Sequence, residues 1–587
     1  MSYISSDQVI ENLRKASVYY QEIMMQMMHN QSSLNMPVNF YDSNKSQEIA
    51  VKIFEQFFEH PEKFTNINLE YIHNLQKLIT DSVTQFIGRK NEDSSNSENY
   101  NDKRFKDPAW QQSIYFDFIR KYYTISSDWL KKTVQQYELD ADAKRFVEFT
   151  ASQFVDALSP SNFIFSNPEV IRESLDTGMD NIARGMQNFL ADIKRSKGLL
   201  SISTTDASCF QVGKNLATTK GKIVMQNDLM QLICYEPKER TYQIPIFVIP
   251  PWINKYYIMD LSEKNSLIKW LVDNNFQVFL VSWVNPTKKL ADKNFEDYLL
   301  QGVVEPLNYI EQLGFKKVNT VGYCIGGTLL SIALSYYKKK QKTIINSASF
   351  LTTLLDFSNA GEIGALINRS TIDYIENKVL EVGYLDGKYL SNSFSLIRAN
   401  DLVWSYFVNN YLLGKSPTAF DILYWNSDAT NLPAKMYIYY LKNMYIDNLL
   451  KEPNRLEMLG EKIDISAIDD VPIFSLAAKA DHIALWQAVY EGLRLLKGDR
   501  TFCLTDAGHV AGVVNPPSST KYSHMISSNI AEASKDWLTD AVIKEGSWWN
   551  SWHEWLLLRS GKIKKSINYT DLKMIEPAPG SYVKRTI

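Results

Sequence analysis

Val-Asn-Thr-Val-Gly-Tyr-Cys-Ile-Gly-Gly-Thr-Leu-Leu, residues 318–330, decides how this chain is read. Val318 to Val321 is a short β-branched run and reads as a buried strand. Gly327 to Leu334 reads as a helix. Between them, Gly322-Tyr-Cys-Ile-Gly326 places Cys324 at the centre of a G-x-C-x-G box. In the order strand, turn, helix, such a box is a nucleophile elbow. The glycines leave room for a sharp turn that raises the central side chain at the end of a sheet. The helix N-terminus beyond it favours negative charge, and hence a thiolate, at Cys324. The competing reading is a buried structural cysteine in a Gly-rich turn. Residues far downstream separate the two.

The composition bounds the rest. A chain of 587 residues is too long for one ordinary core, so two or more domains are expected. With 45% hydrophobic residues, 22% charged residues and a net charge of −3, nothing points to nucleic acid. The four cysteines, 209, 234, 324 and 503, lack C-x-x-C spacing. That argues against a disulfide scaffold or a metal site and fits a reducing cytoplasm. No secretory signal pattern and no apolar run of membrane-spanning length is found, so the protein is expected not to be transmembrane.

Working outward, residues 1 to about 90 and 110 to about 195 carry helical patterning, separated by the polar stretch 91–102. A Met cluster (Met24, Met25, Met27, Met28) lies in the first block. Ordinary helix packing is its expected role, and a soft surface for an apolar partner is the alternative. Residues 222–235 read as a hairpin around Asn227-Asp228. Strands are then expected at 245–249, 277–283, 318–321, 347–355, 472–477 and 501–504, with helices at 266–274 and 295–313. This rhythm predicts a doubly wound, mostly parallel α/β sheet. The long stretch after 355 has no strand rhythm, and about 357–445 reads as an inserted helical cap. The expected organisation is a helical N-terminal domain, 1–205, and an α/β-hydrolase-like catalytic domain, 206–587.

A cysteine nucleophile needs a base, and the base needs an orienter. His509 lies in Asp506-Ala-Gly-His-Val-Ala-Gly512, just past the last of these strands. Asp481 lies in Ala480-Asp-His482, just past the strand before it. Cys324, Asp481 and His509 thus follow the chain order and strand-end placement of an α/β-hydrolase triad. Singly, His509 could be a turn histidine and Asp481 a helix cap; together the three placements favour a triad. His509 is expected to take or hold the Cys324 proton, and Asp481 to fix its tautomer. The N–H of Ile325 is expected to serve an oxyanion hole, with a second N–H from Trp252 or Ile253. Trp252, Ile253, Ile483 and Val510 are expected to dry the pocket. Because a cysteine nucleophile exchanges one thioester for another at little cost, it points to acyl transfer from a thioester donor such as an acyl-CoA.

Further stretches carry a family resemblance. They are Phe105-Lys-Asp-Pro-Ala-Trp110, Ser159-Pro-Ser-Asn-Phe163, Asn167-Pro168 and Phe210-Gln-Val-Gly-Lys-Asn-Leu-Ala217. Pro250-Pro-Trp-Ile-Asn-Lys-Tyr-Tyr-Ile-Met-Asp-Leu261 and Trp425-Asn-Ser-Asp-Ala-Thr-Asn-Leu-Pro433 are more specific, as is the 322–328 box. Gly508-His-Val-Ala-Gly-Val-Val-Asn-Pro-Pro517, Gly546-Ser-Trp-Trp549 and Glu576-Pro-Ala-Pro-Gly-Ser-Tyr-Val-Lys584 complete the set. With these, the chain resembles the polyhydroxyalkanoate synthases over roughly residues 100–587, most closely their class I.

The resemblance implies that (R)-3-hydroxyacyl-CoA, of short chain length, is polymerised into a polyester with release of CoA. The family's nucleophile, acid and base fall on Cys324, Asp481 and His509. Asp481 is then also expected to help activate the monomer's 3-hydroxyl. Arg398 and Asn448 match CoA-channel contacts, and His482 is expected to shape the substrate site beside Trp252. The resemblance further implies a cap that gates CoA entry, dimers supported by Trp425, and a cytoplasmic protein on polyester granules. No cofactor is expected, the CoA thioester being substrate. Trp548, Trp549, Trp552 and Trp555 are expected to pack on the catalytic domain, with granule contact as the alternative. The rival reading is a cysteine α/β-hydrolase, either a thioesterase or a polyester depolymerase.

Overall fold

Six parallel strands, nearly all of their residues buried, form the centre of an eleven-stranded sheet. The computed structural model describes residues 5–29, 43–87, 102–196, 201–367 and 369–586. The polar stretch expected as a linker falls, but for Asp102, outside them. In chain order the sheet strands are β1 (Gly221–Gln226), β2 (Met230–Tyr235), β3 (Ile246–Ile249), β4 (Val278–Trp283), β5 (Val318–Tyr323) and β6 (Ile345–Leu351). They continue as β7 (Ile473–Ala478), β8 (Arg500–Thr505), β9 (His524–Ser527), β10 (Val542–Lys544) and β11 (Glu576–Pro577). Across the sheet the order is β10-β9-β8-β7-β6-β5-β3-β4-β2-β1-β11.

The ladders from β4 through β3, β5, β6 and β7 to β8 are parallel. Both flanks are antiparallel. Every residue of β3, β4, β5 and β7 is buried, whereas β10 shows two of its three residues to solvent. β3 pairs with β4 on one side and β5 on the other, so the strand order reverses there. In open α/β sheets the crevice at such a reversal is where ligands bind. In register, Ile249 faces Gly322 across the β3–β5 ladder, which sets the turn after β3 beside the elbow after β5.

The expected helix at 295–313 is three pieces, Phe295–Leu299, a π-turn at Leu300–Val304, and Glu305–Gln312. Two short ladders unforeseen from sequence, 384–385 with 432–433 and 456–458 with 461–463, interrupt the 357–472 stretch.

The described chain divides into two compact units, Met1–Asp206 with Asn392–Thr418, and Ala207–Ser391 with Ala419–Ile587. Part of the stretch read as cap therefore belongs to the helical unit. The physical reason is polar as well as apolar. Tyr411 donates to the buried Asp192 carboxylate at 2.6 Å, Asn181 donates to the Leu412 carbonyl at 2.8 Å, and Gly185 lies directly against the Tyr411 backbone. In the helix Ser6–His29, Ile23 is buried while Met24, Met25 and Met27 are exposed. Met24, Met25 and Met27 therefore do not serve the expected packing; the side chain of Met28 lies outside the described residues. No helix among the described residues is long and apolar enough to cross a membrane.

In the sheet unit, Trp548, Trp549, Trp552 and Trp555 of the helix Trp548–Leu557 are all buried. They join the core cluster that contains Phe474 and Cys503. Trp425 is buried too, and its indole donates to the Lys255 carbonyl at 2.6 Å. This corrects the expectation of a subunit contact at Trp425, because its ring is already spent inside the fold. The same stretch holds a nearly dry ion pair: Lys255 Nζ lies 2.7 Å from Asp428 Oδ1, with the side chains 3% and 13% exposed. Tyr257 donates to the other carboxylate oxygen at 2.8 Å. Removing one partner of a buried pair strands the other charge. Asp428→Ala is expected to cost about 3–5 kcal/mol, measured as a lowered denaturant midpoint at unchanged m-value.

Candidate active site

The elbow is built by close contacts that only glycine permits. Cys324 follows β5 with φ 53° and ψ −124°, and Ile325 opens the helix Ile325–Lys339. A Cβ on Gly322 would meet Gly327 Cα at 2.5 Å; one on Gly326 would strike the Ile249 carbonyl, and one on Gly327 the Thr353 hydroxyl. The turn is fixed further by Cys324 N–H donating to the Leu351 carbonyl at 2.9 Å and Thr353 Oγ1 donating to the Cys324 carbonyl at 3.3 Å. Cys324 is half-buried and packs against the core cluster together with Val510.

His509 and Asp481 reach the same place from the ends of β8 and β7. Their side chains are 8% and 0% exposed, and His509 Nδ1 lies 2.7 Å from Asp481 Oδ2. The other Asp481 oxygen accepts the N–H groups of Ile483 at 2.8 Å and Ala484 at 2.9 Å, which fixes the carboxylate's direction. Burial by itself pushes the His509 imidazole down. The Asp481 carboxylate and the Cys324 sulfur, both charge neighbours and hydrogen-bond partners, outweigh it and hold the ring at about 10. The structure thus pairs His509 with Asp481 and gives the same ring the Cys324 sulfur as a neighbour.

Several supports carried no clear signal in the sequence. The Tyr323 ring stacks on His509 with centroids 5.7 Å apart, and its hydroxyl donates to the His509 carbonyl at 3.5 Å. The loop after His509 is held from below: Trp548 Nε1 donates to the Gly512 carbonyl at 2.7 Å, and Trp549 Nε1 to the Val513 carbonyl at 2.9 Å. Buried indoles need an acceptor, and here the acceptors belong to the imidazole's own loop. Only the Trp-Trp pair in Gly546-Ser-Trp-Trp549 hinted at this.

The remaining expected site residues are placed as follows. Ile325 is the first helical residue, so its N–H has no intrahelical acceptor. Ile253 is half-buried in the turn after β3. Trp252 is 2% exposed, packs on Trp283 and Tyr298, and directs its indole N–H to Met436 Sδ at 3.4 Å, so it is a core residue. His482 is half-buried, and its carbonyl touches Gly361. Asn448 accepts from Phe357 N at 3.0 Å and donates to Asp356 at 2.7 Å and Ser358 at 3.0 Å, so its amide is engaged in shaping the 356–358 loop. Arg398 belongs to the helical unit and pairs with Asp401 there.

A family model described as the N-terminus of poly-beta-hydroxybutyrate polymerase matches residues 101–271, and one described as the alpha/beta hydrolase fold matches residues 256–516. The poly(3-hydroxyalkanoate) polymerase subunit PhaC of Rhizobium meliloti is 37% identical over 537 residues, covering 91% of this chain and 87% of the relative. That of Rhizobium etli is 40% identical over 487 residues, covering 82% and 76%. Among solved structures, a monoglyceride lipase variant from Saccharomyces cerevisiae aligns with TM-score 0.36 and 12% identity over 60% of this chain and 99% of that one.

The His509–Asp481 contact carries a pH signature. The imidazole value is about 10 folded against 6.5 for the ordinary ring, so the contribution to stability is full below about pH 6.5 and is lost as pH rises through about 10. Asp481→Asn removes the carboxylate that holds the proton. The stability gap between wild type and Asp481→Asn, measured by denaturant unfolding, is expected to be widest near pH 6 and to shrink above pH 9.

Proposed function

Because the chain belongs to the poly(3-hydroxyalkanoate) polymerase family, we propose that it polymerises (R)-3-hydroxyacyl-CoA through an acyl thioester on Cys324, with His509 as base and Asp481 as its orienter. Polymerisation of hydroxyacyl units into polyester, on an α/β-hydrolase-type fold, follows from the family. The residue roles are our reading. The observation that carries them is the buried His509–Asp481 contact of 2.7 Å beside a sulfur raised on a positive-φ elbow.

In the first half-reaction, the Cys324 sulfur attacks the thioester carbonyl. The carbon–sulfur bond to CoA breaks, a bond to Cys324 forms, and the imidazolium of His509 gives its proton to the departing CoA thiolate. The Ile325 N–H, with Ile253 as second donor, receives the transient oxyanion. In the second, a chain or monomer hydroxyl attacks a Cys324-bound acyl group. An ester bond forms, the acyl–sulfur bond breaks, and His509 accepts the hydroxyl proton. Asp481 stabilises the charged ring in both directions. It also assists the 3-hydroxyl. The thioester stays activated between the halves, which a serine oxyester would not.

Short-chain monomers, (R)-3-hydroxybutyryl-CoA foremost, are proposed on the class I resemblance of the motifs. No cofactor enters the scheme, CoA leaving as product. We also propose a homodimer in the cytoplasm at the surface of polyester granules, on the same resemblance.

Incubation with (R)-3-hydroxybutyryl-CoA is expected to release CoA and deposit insoluble polyester. Free 3-hydroxy acid without polymer would instead make the protein a cysteine hydrolase. Cys324→Ala is expected to lose roughly 10³-fold or more in rate, because a covalent route disappears with its nucleophile. Asp481→Asn is expected to slow elongation strongly while Cys324 still becomes acylated by the first CoA thioester. Equal loss of both steps would remove the assigned role of Asp481.

A further inference from the structure

The turn after β3 has its carbonyls tied down one after another by side chains. Trp283 Nε1 donates to the Pro250 carbonyl at 2.9 Å. The Thr430 hydroxyl lies 2.7 Å from the Trp252 carbonyl and 2.6 Å from the Ile253 carbonyl. Thr430 is buried, and one O–H proton serves two acceptors in a three-centre bond. Next to it, Asn254 and Ala429 form an isolated antiparallel bridge.

Peptide planarity turns this into a statement about direction. Within one trans peptide unit the C=O and the N–H point to opposite sides. Fixing the Trp252 carbonyl toward Thr430 therefore fixes the Ile253 N–H away from it. That N–H takes part in none of the hydrogen bonds that pin the turn. The turn begins against the start of the nucleophile's helix: a Cβ on Gly326 would collide with the Ile249 carbonyl and come within 2.9 Å of the Pro250 carbonyl.

We infer that Thr430 is a positioning residue that aims the Ile253 N–H at the acyl oxygen of a thioester attacked by Cys324. The inference deepens the reading of Cys324 as nucleophile and rests on it. Thr430 touches no reacting atom; it acts through the orientation of one peptide plane. Its methyl group fills buried space, but its hydroxyl is what the two carbonyls use. Thr430→Val keeps the volume and removes the donor, leaving two buried carbonyls free to rotate the plane. Thr430→Ser keeps the donor and loses only the methyl.

The test compares two reactions of the same sulfur. Acylation by (R)-3-hydroxybutyryl-CoA develops an oxyanion, and is followed as the rate of CoA release in single turnover. Alkylation of Cys324 by iodoacetamide develops none, and reports only the state of the sulfur and its imidazole. In Thr430→Val, acylation is expected to fall about 10- to 100-fold, somewhat less than the loss of an oxyanion donor outright. The fall should lie in kcat with KM little changed. Alkylation is expected to stay within about 2-fold of wild type, a margin small beside that loss. Thr430→Ser is expected to recover most of the acylation rate. Unchanged acylation in Thr430→Val would overturn the inference. So would an equal loss of acylation and alkylation, which would mean that the whole elbow had shifted. Cys324→Ala is the control for the underlying reading: if it still releases CoA at the wild-type rate, the nucleophile assignment fails whatever Thr430→Val does.

Discussion

Cys324 holds φ 53° and ψ −124°, a conformation that costs a residue with a side chain on the order of 1–3 kcal/mol. Such strain persists only where the surroundings over-determine it. Here β5 is hydrogen-bonded on both sides, and the helix beyond starts against the Ile249 carbonyl. Gly322 and Gly326 allow backbones to meet, and Gly327 admits the Thr353 side chain, where any added side chain would collide. The strain lifts the sulfur off the sheet edge and leaves the helix N-terminus immediately behind it. Relaxing the elbow would return the thiol to the sheet, out of reach of an imidazole delivered from three strands away.

The groups that meet the sulfur come from loops, and loops are ordinarily the mobile part of a fold. Each is restrained by a different device. The Asp481 carboxylate is held by two N–H groups of its own chain. The His509 loop rests on two tryptophan indoles from a helix about forty residues later, and on the ring of Tyr323. The β3 turn is held through its carbonyls. A charged imidazole in a dry site is then maintained by pairing and not by solvent. That is why burial alone would have moved it in the opposite direction.

Much of this was legible in the sequence because the centre of the sheet is buried on both faces. Continuous apolar runs marked β3 through β8 to within a few residues, and the residues after them were the natural place to look for chemistry. The flanking strands were not legible for the same reason reversed. β10 and β11 are three and two residues long, and consecutive residues of β10 are exposed on both faces, so they leave no periodic trace. The assignment of 392–418 was equally hidden, since it depends on Tyr411 finding a carboxylate at position 192, a pairing no local pattern encodes. Trp252, Trp425 and Asn448 show the converse limit. Their types suit a pocket, an interface or a ligand contact, yet the fold uses all three internally.

The cysteines show how the same side chain is given different chemistry by backbone placement. Cys234 on β2 and Cys503 on β8 point into the core, where burial pushes the first thiol up to about 12 and the second higher still. A thiol so far from ionising behaves as a small hydrophobe. Cys324 lies one residue beyond its strand instead of within it. That single step takes the sulfur out of the core layer and places it before a helix, beside an imidazole that carries its proton near neutrality. A nucleophile is therefore specified less by the presence of a thiol than by where the strand ends. The glycines at 322, 326 and 327 determine where β5 ends.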